Sequence, residues 1–208
     1  MKDPKSAELT RRVLQATSQT PDDLYSPQED TFLLLDGVGD IELQGKSLLD
    51  LGTGSGVLGI FCALRGAIVT VADIDQRAVE FALEVGKRLG VKMKGITSDL
   101  FSNLPGRFEW VLFNPPYLPS ASIDDKTIDG GRHGTAIIER FLGELPSHLS
   151  KGGTALLVVS SLNDPPSLIK SYKNIEFGAV GSRQLFFEEL QLLRARLRKD
   201  FSSQRPDS

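Results

Sequence analysis

The chain has 208 residues, 40% hydrophobic and 25% charged, which suits one domain with its own core. Its 24 basic and 27 acidic residues leave a net charge of −3, so no basic surplus marks it as a binder of nucleic acid or another polyanion. A single cysteine excludes an internal disulfide, no run approaches the roughly 20 apolar residues of a membrane span, and "MKDPKSAELTRR" lacks the apolar segment of a secretion signal, so a soluble cytosolic protein is expected.

Residues 1–23 are polar, with Leu9, Val13 and Leu14 their only helical suggestion. They are expected to form a loose arm before a domain over 24–199. From there apolar runs of strand length alternate with helical stretches. "SLLDL" leads to "GVLGIFCALR" and "AIVTVADI" to "QRAVEFALEVGKRL", followed by "VKMKGIT", "EWVLF", "TAIIERFLGELPSHL" and "TALLVVS". That alternation predicts βαβ units and a parallel sheet covered on both faces, an α/β fold. Cys62 inside "VLGIFCAL" reads as a small buried apolar residue, and Trp110 as core. In "RQLFFEELQLLRARL" the residues Phe186, Leu190, Leu193 and Leu197 recur at helical spacing, so periodicity alone favours a helix. The stretch 200–208 has the composition of a disordered tail.

"SLLDLGTGSGVLGI" is a buried strand running into a glycine-rich turn and then a helix. Gly52, Gly54 and Gly56 allow a ligand to approach the backbone closely, and the helix presents unpaired N–H groups to an anionic group. Gly54, Gly56 and Gly59 also satisfy G-x-G-x-x-G, so a nicotinamide-dependent oxidoreductase has to be weighed. Asp50 counts against it: a carboxylate at the strand end opposes a pyrophosphate but suits an ammonium or sulfonium, which favours S-adenosylmethionine. Asp73, about 20 residues beyond the glycines, is placed to accept ribose hydroxyls, or alternatively it or Asp75 caps the next helix. Asp99 in "SDLF" falls at the end of the third strand, where it can accept an adenine amino group with Leu100 nearby, or simply cap a loop.

The fourth strand ends in "FNPPYLPS". Two prolines fix their own φ and push the preceding residue out of the helical region, so Asn114 is held at a stiff corner. A proline-terminated strand in a tight turn would look the same. An amide or exocyclic nitrogen is a weak nucleophile because its lone pair is delocalised. Asn114 through its side-chain oxygen and Pro115 through its carbonyl could accept its hydrogens, with Tyr117 packed on the flat group. A rigid arrangement of that kind acts by positioning. His133 in the glycine-rich "GGRHG" reads as a surface or capping residue before it reads as a base, and Glu29 and Asp30 read equally as caps or as cofactor-orienting groups.

The set "DLGTGSG", "VADI", "SDLF" and "FNPPY", in that order, resembles the class I methyltransferases that modify planar nitrogen. "YSPQEDTFLLLD", "DGGRHG" and "SRQ" extend the resemblance to HemK-like glutamine methyltransferases of the short archaeal and eukaryotic form, over Tyr25 to about Lys199. The resemblance implies a Rossmann-like, mostly parallel seven-stranded sheet with an antiparallel last strand, so that "FFEELQLLRAR" would pair into the sheet despite its spacing. It implies S-adenosylmethionine as cofactor, held by Thr31, Asp50, Gly52, Thr53, Gly54, Gly56, Asp73, Ile74, Asp99, Leu100 and Asn114. Asn114, Pro115, Pro116 and Tyr117 would carry the acceptor and the catalysis, Arg132 would contact substrate, and no metal is implied. The expected acceptor is the glutamine of a Gly-Gly-Gln loop in a class 1 peptide-chain release factor. Bacterial relatives have a helical N-terminal domain, whereas 24 residues precede Tyr25 here, which leaves release-factor docking without an obvious element. A small zinc-binding activator is implied as a heterodimer partner, pairing along "VKMKGIT". Lys92 and Lys94 would otherwise protect an exposed edge. The chemistry alone leaves open an adenine N6 or guanine N2 acceptor, a lysine amine, and a non-enzymatic scaffold.

Overall fold

The structure, a computed structural model, describes residues 4–116 and 135–198. Seven strands form one sheet: β1 (Ser47–Leu51), β2 (Ile68–Asp73), β3 (Lys94–Thr97), β4 (Phe108–Phe113), β5 (Leu149–Ser160), β6 (Ile175–Gln184) and β7 (Glu189–Leu197). Their spatial order is β3-β2-β1-β4-β5-β7-β6. The pairs among β1 to β5 are parallel, and β7 runs antiparallel between β5 and β6. The helices are α1 (Pro4–Ala16), α2 (Glu29–Val38), α3 (Val57–Leu64), α4 (Gln76–Arg88), α5 (Ala136–His148) and α6 (Pro165–Ser171). This is the expected Rossmann-like α/β arrangement with an antiparallel last strand. No helix among the described residues is long and apolar enough to cross a membrane.

Successive strand residues point to opposite faces, and each central strand here feeds two cores. Leu48, Val69, Val71, Leu112, Leu156, Val158, Leu190 and Leu192 face the layer containing α2, α3 and α4. Leu49, Leu51, Ala72, Val111, Phe113, Leu157, Val159, Leu193 and Ala195 face the layer with α5 and α6. Burial on both faces explains why the sequence shows continuous apolar runs rather than alternation. Cys62 is fully buried in the first core, and Trp110 packs half-buried against it.

Two terminal segments bear on the expectations. The region read as a loose arm, 1–23, carries α1, which packs against α3 and buries Ser6, Thr10 and Val13. Leu9, Leu14 and Ala16 pack partly buried against the first core beside Val13, so the helical suggestion of Leu9, Val13 and Leu14 marks the docked side. The segment with helical spacing pairs as β7 from Glu189 onward, as the resemblance implied. Phe186 and Phe187 precede it in the turn from β6. Residues 200–208 lie outside the described residues.

Candidate active site

Strand parity dictates where the acids go. Asp50 has the parity of Leu48 and therefore points to the α3 face, beneath the glycine turn. Its Oδ2 accepts from Thr53 Oγ1 at 2.6 Å and from Gly59 N at 2.9 Å, and the residue is 1% exposed. The carboxylate expected to reach toward a bound cation thus first clamps the turn. Gly59 has to be glycine for this: a Cβ there would stand 2.7 Å from Val71 and 2.9 Å from Asp50 Oδ2. Burial, reinforced by the charge of Asp73, pushes the Asp50 carboxyl up to about 7, even though the Thr53 and Gly59 bonds pull the other way.

Asp73, at the end of β2, holds the other side of the turn. Its Oδ2 accepts from Gly54 N and its Oδ1 from Asp75 N, each at 3.0 Å. Burial raises its carboxyl above the ordinary range. The helix cap is Asp75, whose side chain accepts from Arg77 N, and not Asp73. Thr53 N donates to Ala72 O at 3.0 Å, so the turn is stitched to β2 as well as to β1. Gly56 caps α3 in the left-handed region (φ 78), close against Ala82 of α4. Beyond Asp73, Ile74 is 58% exposed at the same edge.

The corner at the end of β4 meets this turn. β1 and β4 are in register with Leu51 beside Phe113, so Gly52 and Asn114 emerge side by side. A Cβ on Gly52 would lie 3.9 Å from the Asn114 carbonyl oxygen. Pro115 is buried and Pro116 half-buried. Asn114 Oδ1 is buried and has no hydrogen-bond partner among the described residues. An amide oxygen left so costs roughly 1–3 kcal/mol, which is recovered when a donor arrives. Among the described residues Asn114 Oδ1 is thus a buried acceptor without a donor.

The "YSPQEDTF" segment covers the turn. Tyr25 lies against Gly54, whose Cβ would come within 3.2 Å of the tyrosine Cβ, and the Tyr25 hydroxyl donates to Asp30 Oδ2 at 2.6 Å. Asp30 Oδ1 accepts from the Thr31 hydroxyl at 3.2 Å, and both residues are buried. The N-cap of α2 is Gln28, so neither Glu29 nor Asp30 caps it. Glu29 pairs instead with Arg183 of β6. Tyr25 was not singled out from sequence, although it opens the quoted motif.

Asp99 follows β3 and pairs with Arg140 of α5 at 2.9 Å, both side chains nearly half exposed. The expected adenine contact shares that carboxylate with an arginine 41 residues away. Leu100 adopts φ 47 and is buried, its carbonyl accepting from Ser98 Oγ at 2.8 Å. A leucine in the left-handed region costs about 1–2 kcal/mol, so the "SDLF" turn is held against its own preference. The structure thus brings Thr53, Gly54, Asp50, Asp73, Gly52 and Asn114 together along one edge, with Ile74, Asp99 and Leu100 beside them. Tyr117, Arg132 and His133 lie outside the described residues. Among the described residues no cluster of histidine, cysteine and acids could hold a metal.

The family model of the methyltransferase small domain matches residues 29–183, a span that includes the clamped glycine turn, the acid after β2 and the Asn-Pro-Pro corner. The chain belongs to the methyltransferase small domain family. Among proteins similar to it is a putative protein N5-glutamine methyltransferase of Methanocaldococcus jannaschii, 39% identical over 83% of this chain and 91% of that protein. The methyltransferase HEMK2 of Mus musculus is 33% identical over 83% of this chain and 89% of its own length. A chain solved in the E. cuniculi Mtq2–Trm112 complex responsible for methylation of the eRF1 translation termination factor superposes with a TM-score of 0.68. It is 27% identical and covers 85% of this chain and 99% of that one.

Proposed function

We propose that this methyltransferase transfers a methyl group from S-adenosylmethionine to the side-chain nitrogen of a protein glutamine, the glutamine of a Gly-Gly-Gln loop in a peptide-chain release factor. The observation that carries the reading is the buried Oδ1 of Asn114, without a hydrogen-bond partner among the described residues, beside the glycine turn. Oxidoreduction or phosphoryl transfer has no use for a stiff amide acceptor there, whereas a primary amide has two N–H groups that need acceptors. The similarity to N5-glutamine methyltransferases and to the protein of the eRF1-methylating complex supports the same acceptor.

The residues present fit S-adenosylmethionine, which supplies an electrophilic methyl carbon on a sulfonium. Asp73 can accept ribose hydroxyls on lone pairs not used by Gly54 and Asp75, and exposed Ile74 offers an apolar face to a purine. The turn around Gly52–Gly54 leaves backbone room for the amino-acid portion, and the Asp50 carboxyl beneath it favours a cation. On the acceptor side, Asn114 Oδ1 and the Pro115 carbonyl receive the two amide hydrogens and turn the nitrogen lone pair toward the methyl carbon. Transfer would form an N–C bond while the S–C bond of the donor breaks with its electrons left on sulfur. The nitrogen then carries positive charge until one proton leaves, and the two oxygens stabilise that charge. Tyr117 would pack on the amide plane and Arg132 would contact the substrate loop.

β3 lies at a sheet edge, paired only with β2 among the described residues, and its short stretch Lys94–Thr97 can accept a strand from a small zinc-binding activator subunit. With a release factor as its substrate, the proposal includes a cytoplasmic site of action. The test is transfer of labelled methyl from S-adenosylmethionine to a release factor and to its Gly-Gly-Gln→Ala variant, with and without the activator. Label on the first and not the second is expected. Label on RNA or DNA instead, or on a lysine of either factor, would refute the glutamine assignment.

A further inference from the structure

Phe186 and Phe187 form the tip of the turn from β6 to β7 and are 91% and 86% exposed. Their rings meet edge to face, centroids 4.7 Å apart, so they make one apolar knob rather than two scattered side chains. Such a knob adds nothing to either core, and a contiguous apolar patch in water marks a contact surface. The turn beneath it is firmly built. Leu185 N donates to Glu188 O at 2.8 Å, Gln184 Nε2 donates to Leu185 O at 2.9 Å, and Glu189 N donates to Ser161 Oγ at 3.1 Å. Ser160 Oγ also donates to the Glu188 carboxylate.

Pairing fixes where the knob stands. Leu190 is opposite Ser160, the last residue of β5, so the turn rises past the same strand ends that carry the glycine turn and Asn114. β4 and β7 flank β5, and at about 4.8 Å per strand the knob's own strand is about 10 Å from the one ending in Asn114. Leu162, half exposed in the short 3-10 turn directly after β5, adds a third apolar group at this rim. From Leu185 to Leu193 the chain has no lysine or arginine, and Glu188 and Glu189 follow the rings. That acidic setting disfavours nucleic acid and anionic lipid and suits a folded protein.

We propose that Phe186 and Phe187, with Leu162, are the docking point for the acceptor protein, received by an apolar pocket on it beside its glutamine loop. The inference rests on the reading that the acceptor is a protein glutamine and says how a whole factor is gripped outside the reacting crevice. Two such rings bury roughly 300–500 Å² together, the scale of an interface anchor.

The experiment compares wild type with the Phe186→Ser/Phe187→Ser double variant, each with the activator subunit, on the intact release factor and on a short synthetic peptide bearing its Gly-Gly-Gln loop. KM for the intact factor should rise about 30-fold or more, with kcat at saturation, peptide kinetics and melting temperature unchanged. Labelled factor with an unchanged KM overturns the docking point alone, and an equal rise on the peptide overturns it by placing the rings' effect in the crevice. An unchanged KM with loss of phosphatidylserine-vesicle binding, or with loss of self-association in sedimentation, reassigns the knob and overturns the proposal. Wild-type protein that leaves the factor unlabelled sinks the glutamine reading and the docking point with it.

Discussion

Replacing Asp50 by asparagine tests whether the carboxyl beneath the glycine turn is carried at a cost. Asparagine keeps the shape, and its Oδ1 can still accept from Thr53 Oγ1 and Gly59 N, the two donors that now meet Asp50. What it removes is a charge in a site 1% exposed. Burial raises the Asp50 carboxyl to about 7, so the folded protein holds this proton more tightly than the unfolded chain does. Protonation therefore favours the fold at low pH, and that advantage is lost as pH rises through the window from an ordinary carboxylate value to about 7. At about 1.4 kcal/mol per tenfold change in proton affinity, the ionised form costs up to about 4 kcal/mol by pH 8. Roughly 2–3 kcal/mol of that accrues between pH 5 and pH 8. Urea unfolding of the cofactor-free proteins at pH 5, 6, 7 and 8 should show Asp50→Asn gaining on wild type by that amount across the series. A sulfonium near Asp50 favours the ionised form, so saturating S-adenosylmethionine should flatten the wild-type slope and stabilise the variant less. A gap between the two proteins that stays constant from pH 5 to pH 8 would refute the account of a buried, proton-holding Asp50.

Asn114→Ala should leave S-adenosylmethionine affinity within about threefold by calorimetry while kcat for methyl transfer falls about 10²–10³-fold, the scale of removing one aimed polar group; an unchanged kcat would remove Asn114 from the chemistry. Gly56→Ala combines φ 78 with a Cβ 2.6 Å from that of Ala82, and should cost roughly 3 kcal/mol or more. Gly106→Ala, at φ 79 with nothing within 4 Å, should cost only about 1 kcal/mol in the same denaturant assay, isolating the backbone contribution. Val13→Ala, at the fully buried contact of α1, should lower stability by about 2 kcal/mol, whereas a loose arm would show no change.

The elements legible in the sequence are those whose local signal and tertiary role coincide. The glycine turn, the strand ends at Asp73 and Phe113 and the stiff corner at Asn114 are spelled by residues that cannot do much else, and their shared edge follows from parallel pairing. Asp50 was legible as an acid at the site but not as a clamp, because its direction depends on strand parity and on how closely Gly59 lets α3 approach. β7 misleads for a physical reason. Buried on both faces, it needs apolar side chains at Leu190, Leu192, Leu193 and Ala195, and two of these, Leu190 and Leu193, fall with Phe186 and Leu197 at the spacing that periodicity alone reads as helical. Family resemblance corrected that reading where pattern could not. α1 docks through Leu9, Val13 and Leu14 together with buried Ser6 and Thr10, so its few apolar positions, set among polar ones, gave only a weak helical suggestion. The Asp99–Arg140 pair joins residues 41 apart and has no local signature at all.

The position of β7 also has a consequence for biogenesis. The strand made last occupies an interior slot, with β5 on one side and β6 on the other. During vectorial synthesis the nascent polypeptide can assemble β1 to β5, yet the β5 rim must stay open until residue 197 clears the ribosomal tunnel. A copy truncated before Glu189 would therefore leave the β5 rim unpaired, a sticky margin for quality control to recognise.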